Sequence, residues 1–259
     1  MEVVIVPGPG DAADVVAGVV VAALDRPHPV IGLATGSSPL RTYRRLIDAH
    51  RAGRVSFAQA HAVLLDEYVG LAPEHAQSYR SFIRANLTDH VDLPSGRLHG
   101  PDVWRSDLSS TGSDYEALLA WLGGVDVQLL GIGRDGHIGF NEPGSALGSR
   151  TRLKTLTAAT RADNARFFDD PDEVPRHVIT QGLATIGDAR HLVLVAAGAA
   201  KATPIAAAVE GPLTASCPAS VLQLHPHVTV VVDESAAAGL AHADYYREAY
   251  AGKPVWQGL

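Results

Sequence analysis

Short runs of apolar, largely β-branched residues recur along the chain: Val3–Val6, Val30–Leu33, Ala62–Leu65, Val125–Leu130, His191–Val195 and Val228–Val232. They lack the clean polar alternation of a half-exposed sheet, as expected for strands covered on both faces. Between them lie amphipathic segments with helix-start signals. Asp11 precedes an apolar-periodic stretch, and Pro39 suits the first turn of a helix over Leu40–His50. Further helices are predicted over Ser78–Asn86, Asp114–Leu122, Arg161–Phe168, Ala199–Val209 and Ser235–Tyr250. Strands alternating with helices predict an α/β fold: a doubly wound, mostly parallel sheet with helices on both faces. No internal repeat, low-complexity tract or long linker divides the chain, so residues 1–259 are expected to form a single domain.

Composition narrows the function classes. The chain has 259 residues, 46% of them hydrophobic and 19% charged, which suits a globular protein with a full core. A formal charge of −7, from 21 Lys+Arg against 28 Asp+Glu, argues against non-specific binding to nucleic acid or to an anionic membrane. A local cluster of donors can still hold a small anion. With Cys217 as its single cysteine the chain forms no internal disulfide, which argues against a secreted, disulfide-stapled scaffold. The N-terminus has no basic region and runs at once into Pro7 and Gly8, unlike a signal peptide. The longest apolar run, Val15 to Leu24, is ten residues and too short to span a bilayer. A cytoplasmic protein is expected.

In doubly wound folds, ligands sit beyond the carboxyl ends of the strands. Three predicted strand ends carry chemistry. The first reads Thr35-Gly36-Ser37-Ser38 ahead of a helix. A glycine turn, hydroxyls and a helix start form an anion-binding layout, although a plain turn with a serine cap would read the same. It lacks the Gly-Lys-Ser/Thr of a Walker A loop. The second is Asp66-Glu67-Tyr68. Such paired carboxylates can cap a helix, bind Mg²⁺ or place a proton-abstracting base in a cleft.

The third strand end is Gly131-Ile132-Gly133-Arg134-Asp135-Gly136-His137-Ile138-Gly139-Phe140-Asn141-Glu142-Pro143. Its glycine spacing matches a dinucleotide fingerprint by letter, but that motif must open a helix, and Gly139 and Pro143 keep this segment irregular. A second partial match, Gly8-x-Gly10-x-x-Ala13, has Asp11 where a pyrophosphate would lie, so no nicotinamide cofactor is expected. What remains is His137 between Asp135 and Glu142, an acid–base group suited to neutral pH. A zinc site is disfavoured, because only His225 and His227 form another close pair and no cysteine cluster completes a set.

These segments together resemble the glucosamine-6-phosphate deaminase (glucosamine/galactosamine-6-phosphate isomerase) family nearly end to end. The sharpest matches are Leu65-Asp66-Glu67-Tyr68-Val69-Gly70-Leu71 and Gly136-His137-Ile138-Gly139-Phe140-Asn141-Glu142-Pro143. The resemblance implies conversion of glucosamine 6-phosphate and water to fructose 6-phosphate and ammonia, with no metal or organic cofactor. By residue match, His137 would open the pyranose ring, with Asp135 and Glu142 orienting and poising it. Asp66 would carry the proton from C2 to C1. Thr35, Gly36, Ser37, Ser38, Arg166 and Lys201 match the phosphate-binding positions.

Allosteric members of the family bind N-acetylglucosamine 6-phosphate between subunits of a hexamer. Ser145, Arg152, Lys154 and Thr155 match those positions, and Tyr245 and Tyr246 both remain open for the C-terminal allosteric tyrosine. A homo-oligomer is therefore implied. Two rivals share the fold: a 6-phosphogluconolactonase-like hydrolase and a non-catalytic sugar-phosphate-sensing domain. Neither accounts for both the Asp66 string and the full His137 segment.

Overall fold

The computed structural model describes every residue of the chain except Arg166, Phe167, Asp169 and Val255. Strands β1 (Glu2–Val6), β2 (Val30–Leu33), β3 (His61–Leu64), β5 (Leu98–His99), β6 (Val127–Leu130), β9 (His191–Ala196) and β10 (Val228–Asp233) form one sheet. Its order is β1-β10-β9-β6-β2-β3-β5, and every pairing in it is parallel. From β2 the chain steps outward through β3 to β5, then returns to β6 and steps the other way through β9 to β10. The strand order therefore reverses between β2 and β6. Beyond their carboxyl ends a crevice opens, as geometry requires where consecutive crossovers leave in opposite directions.

Helices α1 (Pro9–Leu24), α2 (Leu40–Arg51), α4 (Thr111–Trp121) and α7 (Ala202–Val209) belong to the parallel-sheet layer. Their termini carry the expected signals. Pro9 opens α1 with Asp11 in its first turn, and His50 and Arg51 close α2 where the helix dipole favours cations. Helix α3 (Tyr79–Asn86) begins at Ser78, whose side chain accepts the Ser81 amide proton. Strands β9 and β10 are buried along their whole length, and one apolar cluster runs through the sheet and its helices.

The structure corrects the expected layout in three places. A second sheet exists: β4 (Asp66–Val69), β8 (His177–Thr180) and β7 (Arg152–Thr155), antiparallel in the order β4-β8-β7. None of its strands is a continuous apolar run: β4 opens on two carboxylates, β8 holds two apolar residues between His177 and Thr180, and β7 alternates Arg152 and Lys154 with Leu153 and Thr155. Asp66 and Glu67 thus begin a strand and do not form a loop. The predicted helix over Ser235–Tyr250 is two helices, α8 (Glu234–Ala237) and α9 (Ala243–Ala251). The chain breaks between them because the Glu210 carboxylate takes the amide protons of Ala241 (2.7 Å) and His242 (2.9 Å). The helix expected over Arg161–Phe168 is α5 (Ala158–Asn164), started earlier by Thr157, whose side chain caps the Thr160 amide. Helix α6 (Leu183–Gly187) follows β8 and buries Leu183 and Ile186 in the main apolar cluster.

At the amino ends of β9 and β10, the His191 and His227 rings stack 3.6 Å apart, and His191 Nε2 lies 2.8 Å from Thr229 Oγ1. Burial, followed by the neighbouring His227 and His225, lowers the His191 pKa to about 4. As pH falls below the ordinary histidine value, the unfolded chain takes a proton that the fold refuses, so stability is lost progressively down to about 4. The fall in Tm between pH 6.5 and 4 should accordingly be shallower in His191→Gln than in wild type, measured by calorimetry. Parallel curves would mean that His191 is not the group taking up that proton.

Candidate active site

The loop Thr35–Ser38 leaves β2 at the point of reversal. Gly36 has φ +83°, a left-handed turn open to glycine at no steric cost. The loop's base is fixed from α2: the buried Tyr43 hydroxyl donates to the Ala34 carbonyl (2.6 Å) and accepts from the Ala34 amide (3.1 Å). Burial holds this phenol far above its ordinary pKa, so it stays a neutral donor and acceptor. Backbone and hydroxyl groups from Thr35 to Ser38 are left at the crevice mouth.

The loop after β6 forms the opposite wall. A Cβ on Gly131 would lie 3.6 Å from Ser38 Oγ, so the two loops touch. Gly133 donates to the His137 carbonyl (2.9 Å), and Gly136 to the Gly133 carbonyl (3.2 Å). This tight irregular turn, with no helix behind it, is why the glycine spacing is not a dinucleotide site. Asp135 Oδ1 stands 2.5 Å from His137 Nδ1, which makes Nδ1 the proton-bearing nitrogen against a carboxylate and leaves Nε2 as the acceptor. Glu142, further along the same loop, accepts from the Thr160 hydroxyl on α5.

A third contribution comes from the end of β9. Gly198 donates its amide to the Asp233 carboxylate, and the following turn Ala199–Lys201 brings Lys201 Nζ to 2.6 Å from the Ile132 carbonyl. Lys201 therefore lies against the His137 loop. Arg166 lies outside the described residues.

Asp66 approaches from the second sheet. Strand β3 ends at Leu64, and the chain turns out of the parallel sheet at Leu65 to start β4. The carbonyls freed by this turn are taken up by neighbours: Tyr115 Oη (2.7 Å) and Gln181 Nε2 (3.0 Å) donate to Leu64, and the Gln181 amide donates to Leu65 (2.8 Å). Asp66 is 5% exposed. Burial first, then repulsion from Glu67, raises its pKa to about 8, and a hydrogen bond from the Thr180 side chain pulls it partly back. Among the described residues no cation pairs with it.

Glu67 points the other way and has a structural task. Its carboxylate accepts the amide protons of Tyr68 (2.9 Å), Tyr79 (2.8 Å) and Arg80 (2.9 Å), closing the open amino end of α3. The adjacent carboxylates thus divide, one capping a helix and one left in the crevice.

The two halves of the site meet at Gly139. Its φ of +56° and its space both require glycine: a Cβ there would come to 3.1 Å from Thr180 Oγ1 and 3.4 Å from Asp66 Oδ2. The His137 loop therefore passes directly over the buried carboxylate. An aromatic group of Tyr68, Tyr79 and Phe140 packs beside it, with ring centroids 4.9 to 6.0 Å apart. The Tyr79 hydroxyl is bonded to the Thr35 side chain, joining this wall to the first loop. Thr180, Gln181 and Tyr79 are parts of the site that the motifs do not mark. The run His177–Thr180 ahead of Gly182 is the strand signal that would have found Thr180.

Of the residues matched to an effector site, Arg152, Lys154 and Thr155 share the edge strand β7. Alternation along that strand puts Arg152 and Lys154 on one side and Thr155 on the other. Ser145 is buried on the loop beyond Glu142, its amide bonded to the Glu142 carbonyl (3.0 Å). Among the described residues no His, Cys, Asp or Glu group of three or more is placed to hold a metal ion, and no helix is long and apolar enough to cross a membrane.

Comparison with known proteins agrees with this layout. Residues 10–231 match the family described as glucosamine-6-phosphate isomerases/6-phosphogluconolactonase. The chain is 59% identical to a glucosamine-6-phosphate deaminase of Rhodococcus opacus (strain B4), over 100% of both chains. It is 52% identical to one of Mycolicibacterium smegmatis, again over 100% of both. Among solved structures, a monomeric glucosamine-6-phosphate deaminase superposes with a TM-score of 0.89 at 38% identity, covering 92% of this chain and 100% of that one. A 6-phosphogluconolactonase from Trypanosoma brucei reaches a TM-score of 0.72 at 20% identity, covering 93% and 98%, a likeness of fold alone.

The environment of Asp66 makes a measurable statement of its own. In protein carrying ¹³C-labelled carboxyl carbons, the Asp66 resonance should titrate near 8, far above an exposed aspartate. Replacing its anionic neighbour, Glu67→Gln, should lower that midpoint while weakening the α3 cap and lowering Tm. A wild-type midpoint near 4 would show that the carboxyl is solvated.

Proposed function

The chain belongs to the glucosamine-6-phosphate isomerase/6-phosphogluconolactonase family, and we propose that it converts glucosamine 6-phosphate and water to fructose 6-phosphate and ammonia. The observation that carries this reading is the buried Asp66 set beneath the His137 loop, with no cation paired to it among the described residues. An aldose–ketose rearrangement needs one base that reaches two adjacent carbons and a separate acid–base group at the ring oxygen. The crevice offers both, on different elements.

In this mechanism the phosphate rests on the Thr35–Ser38 loop, with Lys201 and Arg166 supplying positive charge. His137, its Nδ1 proton held by Asp135, exchanges a proton through Nε2 to pass the sugar from ring to open chain. Glu142, bridged to Thr160, holds the far end of the same loop. Asp66 then removes the C2 proton; the C–H electrons form the C1–C2 double bond, and the C1 carbonyl oxygen takes the proton that the C2 ammonium gives up, leaving a neutral amine on the double bond. The enolamine so formed regains a proton at C1 from Asp66, and water displaces ammonia from the resulting C2 imine. A substrate ammonium at C2 brings a positive charge next to Asp66, so substrate binding itself favours the ionised base.

A hydrolase acting on 6-phosphogluconolactone needs only an activated water, and gives no use to a base above which two adjacent carbons can sit. A sensing domain needs no base at all. Activation by N-acetylglucosamine 6-phosphate is a second part of this proposal. It rests on Arg152, which burial holds below its ordinary pKa and which has no carboxylate partner among the described residues, beside Lys154 on the exposed edge of the second sheet. Strand β7 pairs with β8, and Arg152 sits in register with Thr180 beside Asp66, so a ligand on this edge has a short route to the base. It activates by binding the active conformer more tightly. Assembly into a homo-oligomer, a hexamer by resemblance, and a cytoplasmic location belong to the same proposal.

Ammonia release from glucosamine 6-phosphate tests the reaction, with 6-phosphogluconolactone as the competing substrate. Asp66→Asn should cut turnover ~100-fold or more while still binding fructose 6-phosphate, because the amide keeps the shape and loses the proton acceptor. It should also raise Tm at neutral and alkaline pH, since a carboxyl pushed up by burial destabilises the fold increasingly from pH 4 until it ionises. Lactone hydrolysis without ammonia release would reject the assignment. Full activity after exhaustive chelation is expected, and activity restored only by added zinc or magnesium would overturn the cofactor-free route. Arg152→Ala with Lys154→Ala should abolish effector activation, an effect of about 5- to 150-fold on apparent affinity, and leave the maximal rate intact.

A further inference from the structure

Thr180 ends β8 at the centre of the second sheet, fully buried and directly opposite Asp66 in the antiparallel register. Cross-strand partners in such a pair present their side chains to the same face. Its hydroxyl oxygen is 3.2 Å from the Phe140 amide, which donates to it from the His137 loop. With that lone pair occupied, the hydroxyl has one proton to give and two acceptors beside it: the Gln181 carbonyl at 3.3 Å and the Asp66 carboxylate, its cross-strand partner, whose Oδ2 and the Thr180 Oγ1 both lie within 3.4 Å of the place a Gly139 Cβ would take.

We infer that Thr180 is a positioning residue for the proposed proton transfer: it receives the Phe140 amide proton and gives its own to Asp66, fixing the base against the loop that carries His137. The inference rests on Asp66 being the base. Its physical content is a preference between protonation states. A donor aimed at a carboxylate favours the anion, and when Asp66 has taken the C2 proton the hydroxyl proton can turn to Gln181. The bond therefore opposes burial and keeps Asp66 available as a base in a site that otherwise favours the neutral acid.

No other described group near Asp66 can do this. The titratable side chains near it are Tyr68 on its own strand, Tyr79 from α3 and Tyr115 from α4, with Glu67 acting through its charge from the opposite side of the strand and Arg152 two strands away in the same register row, bonded to the Arg150 carbonyl. Glu67 raises the cost of the charge. Tyr68 and Tyr79 spend their hydroxyls on each other and on Thr35, and Tyr115 gives its proton to the Leu64 carbonyl. Arg80, the nearest cation on α3, acts on Glu67. Thr180 is left as the single donor to the base among the described residues.

The test is the pH dependence of kcat/KM for ammonia release in Thr180→Val, Thr180→Ser and Thr180→Cys. Valine keeps the shape and removes the donor. Its acid limb should move to higher pH by about one unit or more, giving a loss of about tenfold at neutral pH that largely recovers in alkali. Serine should restore the wild-type limb, and cysteine, a weak donor of similar size, should lie between. If valine fails to fold, the serine–cysteine comparison reads the same shift. A rate lowered by one factor at every pH, with the limb unmoved, would overturn the inference and leave Thr180 as packing alone. Failure of the base assignment looks different: Asp66→Asn would then retain turnover, whatever the Thr180 variants do.

Discussion

A carboxylate taken out of water, with no cation paired to it among the described residues, is costly to hold, and the architecture around the crevice is arranged to hold it. Isolated charges are expelled from protein interiors or neutralised there. Asp66 is kept inside by the chain on either side of it, because it follows β3 of the parallel sheet by one residue and is itself the first residue of β4, paired with Thr180 of β8. The chain cannot move the carboxylate into solvent without unpairing β4 from β8 and uncapping α3, which Glu67 closes from the next position. Repulsion between the neighbours is then the consequence of using both sides of one strand, and it adds to the effect of burial.

The second sheet makes this possible. A purely parallel sheet delivers loops to its carboxyl edge, and loops supply anion cradles, glycine turns and an exposed histidine. It does not supply a buried, rigid carboxylate, since residues beyond the last hydrogen-bonded position run into water. Turning β3 out at Leu65 and starting an antiparallel strand one residue later puts a strand-held side chain above the crevice floor. Tyr115 and Gln181 take up the backbone groups that such a break exposes, so the bend leaves none of these carbonyls without a donor.

Much of this was legible in the sequence and some was not, for identifiable reasons. Six of the seven parallel strands stand out as apolar runs, while the two-residue edge strand β5 (Leu98–His99) makes no run to see, and glycine-rich segments mark the loops at the carboxyl ends of β2 and β6. Asp66, Asp135 and His137 declare themselves by their place after such runs. Strand β7 of the second sheet does not, because Arg152-Leu153-Lys154-Thr155 reads as a solvated stretch until β8 is known to lie beside it. The strand that carries Thr180 is legible as the run His177–Thr180, but its role is not: a hydroxyl's importance comes from the groups it bridges, and these are distant in sequence. The break between α8 and α9 depends on Glu210, some thirty residues earlier, which no local helix signal contains.

The brace from Tyr43 to Ala34 has a consequence for recognition at the first loop. A glycine turn left to itself samples many shapes, and a ligand that selects one must bear the entropy of ordering it. Here a neutral phenol grips both the amide and the carbonyl of the residue at the loop's base, so that ordering is completed when the chain folds. An anion arriving at Thr35–Ser38 meets donors already converged at the mouth of the crevice. Its binding energy is then free to act at the other end of the molecule, where the bonds change.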